Sequence, residues 1–200
     1  MTALDSRTGA TVGVMTPYAR RKDELVATLT GTVLEIGAGR GANFGRLPLR
    51  ATWIGLEPDR RLRARLARRA MAHGREPQVL AARAEAIPLP DSSVDAVVAT
   101  VVLCSVADPS RVMYEVRRVL RSGGRFVFVE HVAAGPGTAS RRLQAAFAPL
   151  TRRFDRGCDP TRRTATTIRD AGFSHVDIDT YGGTGGLALY NPHIVGVAIR

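Results

Sequence analysis

A short apolar run that ends in a carboxylate and is followed by alternating glycines occupies residues 33–44, with the sequence VLEIGAGRGANF. Closely spaced glycines after an apolar strand are typical of a tight turn whose backbone approaches a nucleotide-like ligand. Two spacings are satisfied at once from Gly37, the G-x-G-x-x-A of dinucleotide sites and a G-x-G-x-G that follows Glu35. The loop therefore predicts a strand and a tight turn at a ligand site, but it does not by itself identify the ligand.

Strand-like and helix-like patterns alternate along the chain. Apolar and β-branched runs predict seven strands, over residues 32–36, 52–56, 79–82, 94–101, 125–129, 176–181 and 194–199. Apolar periodicity predicts four helices, over residues 18–29, 59–73, 109–120 and 161–171. The third helix begins after Asp108, with proline at its first position, and ends at the turn Ser122-Gly123-Gly124. This alternation predicts an α/β fold, a parallel sheet covered by helices on both faces.

We predict that the chain forms a single domain. Two hundred residues with 44% hydrophobic content suffice for one sizeable core. Residues 1–16 are expected to be disordered or to act as a lid, because most of them are small and polar. Residues 133–163 are rich in glycine, proline and arginine around one amphipathic piece, residues 140–147, and are expected to form an insertion over the strand ends.

Composition narrows the function classes. No apolar run approaches the ~18 residues that span a bilayer and residues 1–20 lack the apolar centre of a secretory signal, so a cytoplasmic protein is expected. Cys104 and Cys158 form neither a CxxC pair nor a metal-ligand spacing with histidine, which predicts no disulfide framework and no metal site. The formal charge of +11 leaves an RNA-binding protein as an alternative. No nucleic-acid partner is expected, because the basic segment 60–69 has no interleaved aromatic residues.

The charge at the end of the first strand favours one class of ligand. Glu35 would lie close to the pyrophosphate of a dinucleotide, which is unfavourable, whereas it would attract a cationic amino-acid end and a sulfonium. S-adenosylmethionine carries both of these groups. Glu57 ends the second strand 20 positions after Gly37, where an acidic side chain accepts hydrogen bonds from ribose hydroxyls. The only lysine, Lys22, lies upstream of the loop, which excludes the Tyr-x-x-x-Lys pair of a short-chain dehydrogenase.

We therefore predict a set of cofactor-binding residues around the glycine loop. The segment 82–91 is expected to cross the adenine edge, with Ile87 or Leu103 against a ring face, and Tyr18 to close over the cofactor from the first helix. The predicted residues are Glu35, Gly37, Ala38, Gly39, Gly41, Asn43, Glu57, Pro58, Ala84, Glu85, Leu103 and Tyr18.

Four segments resemble a known group of enzymes, namely VLEIGAGRG, Glu57-Pro58, AEAIPLPDSSVDAVV and RVLRSGGRFVFVEHV. In this order they resemble class I S-adenosylmethionine-dependent methyltransferases over residues 32–132. GRGANF, VVLCSVADPSRVMYEVRRVL, EHVAAG, residues 157–162 and the terminal PHIVGVAIR are further similar to the methyltransferase-like 7 family, whose characterised members are thiol S-methyltransferases. The resemblance implies a Rossmann-like, seven-stranded, mostly parallel sheet with helices on both faces. It also implies S-methylation of a small thiol.

The chain departs from that family at three points. It lacks the hydrophobic N-terminal anchor of the animal members, so no membrane anchor is expected. Arg83 stands where many class I enzymes place an acidic residue for adenine, and the glycine-rich loop 182–186 replaces bulkier residues near the acceptor mouth. O-, N- or C-methylation of a small apolar acceptor, such as a phenol, a quinone or a lipid headgroup, remains the alternative chemistry.

His131 is the predicted catalytic residue. It follows the fifth strand, at the end of the sheet where the acceptor is expected, and would deprotonate the acceptor or stabilise its thiolate. A thiol, with a pKa of ~8.5, needs no strong base, whereas an alcohol needs a positioned one. Cys158 is either a methyl-accepting or gating thiol or a small buried hydrophobe, and Cys104 is expected to pack beside the cofactor. The insertion 133–163 is expected to cap the acceptor pocket.

Overall fold

Seven strands form one sheet at the centre of the molecule. The computed structural model describes residues 16–182 and 192–200. The strands are β1 (Thr32–Ile36), β2 (Thr52–Leu56), β3 (Gln78–Leu80), β4 (Val94–Thr100), β5 (Leu120–His131), β6 (His175–Tyr181) and β7 (His193–Ile199). The helices are α1 (Pro17–Ala27), α2 (Arg60–Ala72), α3 (Pro109–Val119), α4 (Ala139–Phe154) and α5 (Thr164–Arg169).

The strand order is β3-β2-β1-β4-β5-β7-β6. Within the described residues β7 is antiparallel to both of its neighbours, and every other adjacent pair of strands is parallel. The strand order reverses beside β1, between β1 and β4, which is where open α/β sheets bind their ligands. The prediction of a seven-stranded, mostly parallel Rossmann-like sheet is confirmed.

Helices cover both faces of this sheet because alternate side chains of each strand point to opposite sides. Leu34 and Ile36 of β1 belong to a core that also contains apolar residues of α3 and α5. Val33 belongs to the opposite core, which contains apolar residues of α1 and α2. The prediction that both faces are covered is therefore confirmed.

Two helices that flank the ligand edge of the sheet begin at aspartate caps. The Asp59 carboxylate accepts hydrogen bonds from the N–H groups of Arg61 and Leu62 at the start of α2. The Asp108 carboxylate accepts from the N–H groups of Ser110 and Arg111 at the start of α3, so the predicted start of that helix is confirmed. Each cap satisfies amide groups that have no partner inside the helix.

The end of α3 differs from the prediction. The helix ends at Val119 and β5 begins at once, so the predicted turn at residues 122–124 lies inside the strand. Val94 of β4 pairs with Leu120 and Ala96 pairs with Arg125, which leaves extra residues of β5 looped out as a bulge. Gly123 adopts a φ of +74° there, a conformation that glycine adopts without steric cost.

The region after β5 also differs in its helices. The amphipathic piece predicted over residues 140–147 extends to Phe154, with Pro149 inside the helix, and Thr138 caps its first turn. The helix predicted to begin at residue 161 begins at Thr164, because the Asp159 carboxylate accepts hydrogen bonds from the N–H and hydroxyl of Thr161 and holds that residue in a turn.

Two of the predicted segments, the lid and the glycine-rich loop, lie largely outside the residues that the structure describes. Residues 1–15, and with them nearly all of the predicted lid, lie outside the described residues, as do residues 183–186 of the glycine-rich loop. Among the helices that are described, none has the length and apolar character needed to cross a membrane.

Candidate active site

A cleft of ≈340 Å³ lies at the carboxyl ends of β1, β2 and β4. Its volume falls within the usual range for small-molecule sites, which is ~300–1,000 Å³. Five of the predicted cofactor-binding residues line it, namely Gly37, Glu57, Pro58, Ala84 and Glu85. The remaining wall comes from Leu56, Asp59, Leu62, Ala82, Arg83, Val101, Val102, Ser105, Val106 and Arg156.

The glycine loop shapes one wall of this cleft through its backbone. Gly37 has a φ of +59°, and a Cβ atom there would lie 2.7 Å from the Val102 side chain, so only glycine fits. Gly39 has a φ of +53°, and a Cβ atom there would meet no atom closer than 3.6 Å. Packing against Val102 therefore requires glycine at position 37, whereas the backbone of Gly39 has open space beside it.

Glu57 organises the loop from the end of β2. One oxygen of its buried carboxylate accepts a hydrogen bond from the N–H of Gly39 at 2.9 Å, and the other accepts from the N–H of Asp59 at 2.9 Å. Each carboxylate oxygen can accept further bonds, since an ionised carboxyl group has about four acceptor positions. Glu57 thus joins the glycine loop to the start of α2 while it faces the cleft.

Glu35 lies beneath the loop and is not part of the cleft wall. Its carboxylate accepts hydrogen bonds from Asn43 Nδ2 and from Trp53 Nε1, each at 2.9 Å. Burial raises the pKa of Glu35, and the bonds from Trp53 and Asn43 oppose that rise. Ala38 donates its N–H to the carbonyl of Leu56 and is also buried. Glu35, Ala38 and Asn43 therefore support the loop from behind.

The segment after β3 closes the far wall of the cleft. Ala84 and Glu85 line it, as predicted for the adenine edge. Burial opposes ionisation of Glu85, but hydrogen bonds from its own N–H, from Ala107 and from Arg83 outweigh it and lower the pKa of Glu85. Leu103 is fully buried in the core and does not line the cleft, where Val101 and Val102 stand instead.

Val101 is a wall residue that the sequence analysis missed. It adopts a φ of +57°, which is an outlier for a β-branched residue, and its N–H donates to the carbonyl of Val129 at 2.7 Å. Strained conformations of this kind concentrate at functional sites. The sequence gives no signal for it, because valine at the end of a buried strand is an ordinary core residue.

A cluster of thiols and imidazole lies beyond the ends of β4 and β5. Within this histidine–cysteine cluster (Cys104, His131 and Cys158), His131 Nδ1 lies 3.4 Å from Cys158 Sγ, and the two sulfur atoms lie 3.4 Å apart. A hydrogen bond with Cys158, and then burial, raise the pKa of the Cys104 thiol. The same bond lowers the pKa of the Cys158 thiol. The hydrogen bond therefore couples the protonation of the two thiols.

Two aromatic rings adjoin the cluster. Tyr18 stacks on His193 with 4.5 Å between the ring centroids, and His193 meets His131 edge-on with 4.4 Å between them. Tyr18 was predicted to close over the cofactor. The structure places it beside the histidines, and it does not line the cleft.

A buried carboxylate, Glu130, lies between the cleft and the histidine–cysteine cluster. Both of its oxygens accept a hydrogen bond from the N–H of Val102, at 2.9 and 3.1 Å. Burial, and then the neighbouring Cys104, raise the pKa of Glu130 to about 8. Its place before His131 at the end of a buried strand was the only signal in the sequence.

The segment 155–164 is tied to the loop after β4. The N–H of Asp159 donates to the carbonyl of Cys104 at 2.8 Å, and Arg162 Nη1 donates to the carbonyl of Leu103 at 2.8 Å. Gln144 of α4 binds the backbone on both sides of Ala133, through Val132 and Ala134. These bonds hold the inserted region against the strand ends, next to the wall of the cleft.

Comparisons with known proteins agree with this geometry. Residues 34–128 match the family model described as a methyltransferase domain. The human thiol S-methyltransferase TMT1B is 35% identical over 206 residues, which cover 94% of this chain and 84% of that protein. Human thiol S-methyltransferase TMT1A is 35% identical over 173 residues, which cover 84% of this chain and 70% of that protein.

The fold has relatives among solved structures. An S-adenosylmethionine-dependent methyltransferase from Thermotoga maritima superposes with a TM-score of 0.65 and 22% identity, covering 92% of this chain and 89% of that one. At this identity the likeness concerns the fold alone. It agrees with the observed Rossmann-like fold.

Proposed function

Because this chain belongs to the same family as these thiol S-methyltransferases and is an S-adenosylmethionine-dependent methyltransferase, we propose that it transfers the methyl group to a small thiol. The observation that carries the proposal is the position of the histidine–cysteine cluster. Cys104 belongs to the same loop, residues 101–106, that lines the cleft through Val101, Val102, Ser105 and Val106. A thiol bound at the cluster would lie beside a ligand in the cleft.

The residues of the cleft fit the chemical groups of S-adenosylmethionine. Glu57 would accept hydrogen bonds from the ribose hydroxyls on the acceptor positions that Gly39 and Asp59 leave. Ala84 and Glu85 would border the adenine edge, and the space beside Gly39 would admit the ligand close to the backbone. The bound molecule supplies an electrophilic methyl group on a sulfonium.

Glu35 would act on the cofactor through the loop. Its carboxylate holds Asn43 and Trp53, and Asn43 also donates to the hydroxyl of Thr100. A negative charge beneath the loop favours a cationic ligand above it, since opposite charges attract at short range even without contact. Glu35 is therefore a positioning residue in this proposal.

The protein's part in the transfer is alignment and the exclusion of water, because positive charge on sulfur is neutralised as the new bond forms. The insertion 133–163 would cap the acceptor, and His131 would stabilise its thiolate. A thiol with a pKa of ~8.5 is already partly ionised near neutral pH, so no strong base is required. A cytoplasmic location suits this chemistry, since thiols are kept reduced there.

The test is turnover of labelled S-adenosylmethionine against a panel of small thiols, phenols, amines and a quinone. We expect methylated product from the thiols. The Glu57→Gln variant should raise KM for S-adenosylmethionine by about tenfold or more, since hydrogen bonds to a charged group contribute ~1.5–3 kcal/mol. Glu76→Gln, an exposed carboxylate outside the cleft, is the matched control and should behave as the wild type.

Two results would separate the parts of this proposal. A wild type that binds S-adenosylmethionine and methylates phenols, amines or the quinone, but no thiol, would contradict the thiol acceptor. Equal KM values in Glu57→Gln and Glu76→Gln would contradict the role of Glu57.

A further inference from the structure

We propose that the histidine–cysteine cluster binds one divalent zinc-class ion through Cys104 Sγ, His131 Nδ1 and Cys158 Sγ, and that its fourth position takes the acceptor thiol. The second part rests on the proposed function. The sequence predicted no metal site, because Cys104, His131 and Cys158 follow one another at intervals of 27 positions, which is no ligand spacing. The fold brings them together from the loop after β4, the end of β5 and the segment after α4.

The distances fit a tetrahedral ion. Zinc bonds of ~2.3 Å to sulfur and ~2.0–2.1 Å to nitrogen place neighbouring ligand atoms about 3.5–3.8 Å apart. The two sulfur atoms are 3.4 Å apart and the imidazole nitrogen lies 3.4 Å from Cys158 Sγ. All three ligand atoms lie within 4.8 Å of one another. The widest pair of ligand atoms would have to close by about 1 Å to complete the site.

Burial and charge favour a soft divalent ion. Cys104 is fully buried and Cys158 is 4% exposed, so the sulfur atoms are removed from water. Two thiolates balance the charge of one divalent cation, whereas unpaired thiolates would be costly at this depth. Thiolate and imidazole ligands together select zinc-like ions over magnesium or calcium.

Hydrogen bonds already hold the backbone of each ligand residue. The carbonyl of Cys104 accepts from the N–H of Asp159 at 2.8 Å, and the N–H of Cys158 donates to the carbonyl of Asp155 at 2.8 Å. The carbonyl of His131 accepts from the hydroxyl of Thr164 at 3.3 Å. These bonds fix the backbone from which each ligand side chain projects.

Three protein ligands leave one tetrahedral position, which is the arrangement of catalytic zinc sites. His131 is the most exposed of the three residues, whereas both cysteines are buried. An acceptor thiol would lose its proton to solvent on binding there. Its sulfur lone pair would then form the bond to the methyl carbon as the carbon–sulfonium bond breaks, with that bond's electrons staying on the leaving sulfur. His131 would thus stabilise the acceptor thiolate through the ion.

The first experiment measures metal content without reference to activity. Tag-free wild type, produced with zinc in the medium and purified with a non-chelating reductant, should contain one zinc per chain by elemental mass spectrometry. Cys158→Ser and His131→Asn should lose most of it. His175→Asn, which replaces an exposed histidine at the start of β6, is the matched control and should keep it.

The second experiment keeps the test valid if a variant misfolds. Wild type stripped with a chelator and titrated with Co²⁺ should develop thiolate-to-cobalt charge-transfer absorption and the intense visible bands of a tetrahedral site. A wild type with neither bound zinc nor charge-transfer absorption would overturn the site. Addition of a small thiol, with no S-adenosylmethionine present, should change the visible bands, and an unchanged spectrum would overturn the fourth-position assignment.

Failure of this inference is distinguishable from failure of the proposed function. A wild type that methylates thiols without bound metal would overturn the metal site and leave the proposed function. A wild type that binds Co²⁺ but methylates no thiol would overturn the proposed function and leave the metal site.

Discussion

The glycines of the glycine loop have two different roles. Gly41 has a φ of +71°, and a Cβ atom there would lie 2.2 Å from the ring of Phe44, so this glycine is required by packing. Gly39 has a similar backbone conformation, but its surroundings are open on the side where a Cβ atom would project. The same residue type in one loop therefore secures the fold at one position and leaves space for a ligand at another.

This difference predicts that alanine substitutions at Gly41 and Gly39 differ in their effects on stability and on ligand binding. Gly41→Ala should lower the free energy of unfolding by ~2–4 kcal/mol, from a left-handed backbone and overpacking. Gly39→Ala should cost only ~1–2 kcal/mol, but weaken S-adenosylmethionine binding about tenfold. Urea denaturation and calorimetric titration measure the two effects.

Gly74→Ala is the control for this pair. Gly74 has a φ of +69° and open surroundings, away from the cleft, so its replacement should match Gly39→Ala in stability and leave binding unchanged. Equal affinities in Gly39→Ala and Gly74→Ala would show that the space beside Gly39 is not used by the ligand.

At the scale of elements, the buried carboxylate of Glu115 joins α3 to the loop after β3. The carboxylate of Glu115 is paired with Arg118 at 2.8 Å and accepts a hydrogen bond from the N–H of Ile87 at 2.9 Å. The bonds from Arg118 lower the pKa of Glu115 below its ordinary value of 4.5, against the opposing effect of burial. The segment that borders the cleft is thus anchored to α3 through Glu115, and Arg118 also donates to the carbonyls of Ile87 and Leu89.

The acid stability of the protein should depend on this carboxylate. The pKa of Glu115 is lowered in the folded state, so this carboxylate adds to the free energy of unfolding. That contribution is complete above pH 4.5 and is lost as the pH falls through the pKa of the folded state. Glu115→Gln should therefore cost ~1–3 kcal/mol near pH 7, and the gap to wild type should narrow below about pH 4.5. Denaturation at a series of pH values measures this difference in the free energy of unfolding. The control variant Glu76→Gln should not differ from the wild type at any of these pH values. A gap that is independent of pH would contradict the prediction.

Most of the elements could be predicted from the sequence because apolar periodicity and caps are local signals. β1, β2 and the start of α3 occur where the pattern predicts them. The residues 122–124 were misassigned because Ser-Gly-Gly is typical of a turn, whereas β5 continues through it with Gly123 in a left-handed conformation. Pairing with β4 decided that outcome, and pairing is not a local property.

The candidate site also contains residues that the sequence predicts and residues that it does not. Gly37 and Glu57 were predicted because the turn and the strand end that carry them have recognisable spacings. The histidine–cysteine cluster and the strained Val101 depend on contacts between distant segments, which spacing does not encode. Glu35 was assigned to the ligand from its charge, but Asn43 and Trp53, whose positions come from the fold, occupy its carboxylate.

At the scale of the whole molecule, two cores share one sheet. Trp53, the only tryptophan, lies in the core that packs against α1 and α2. Phe126 and Phe128 lie in the opposite core with α3 and α5. Because every strand that separates the cores contributes side chains to both, neither core can be lost without exposing the other.

This arrangement bears on the predicted single domain. Unfolding in urea should give coincident transitions by Trp53 fluorescence and by far-ultraviolet circular dichroism, with one midpoint. If α4 and the rest of residues 133–163 unfold separately, circular dichroism would change at lower urea than fluorescence, and the chain would not be one cooperative unit.

The position of β7 has a consequence for biosynthesis. β7 lies between β5 and β6 in the sheet but follows both of them in the chain, and Val195 and Ala198 on it are fully buried. Until β7 pairs with them, β5 and β6 each present an unpaired edge that no other strand of the described structure fills. Unpaired edges pair readily with other chains. The nascent protein is therefore most prone to aggregation just before β7 emerges, and a chaperone would be needed most at that stage.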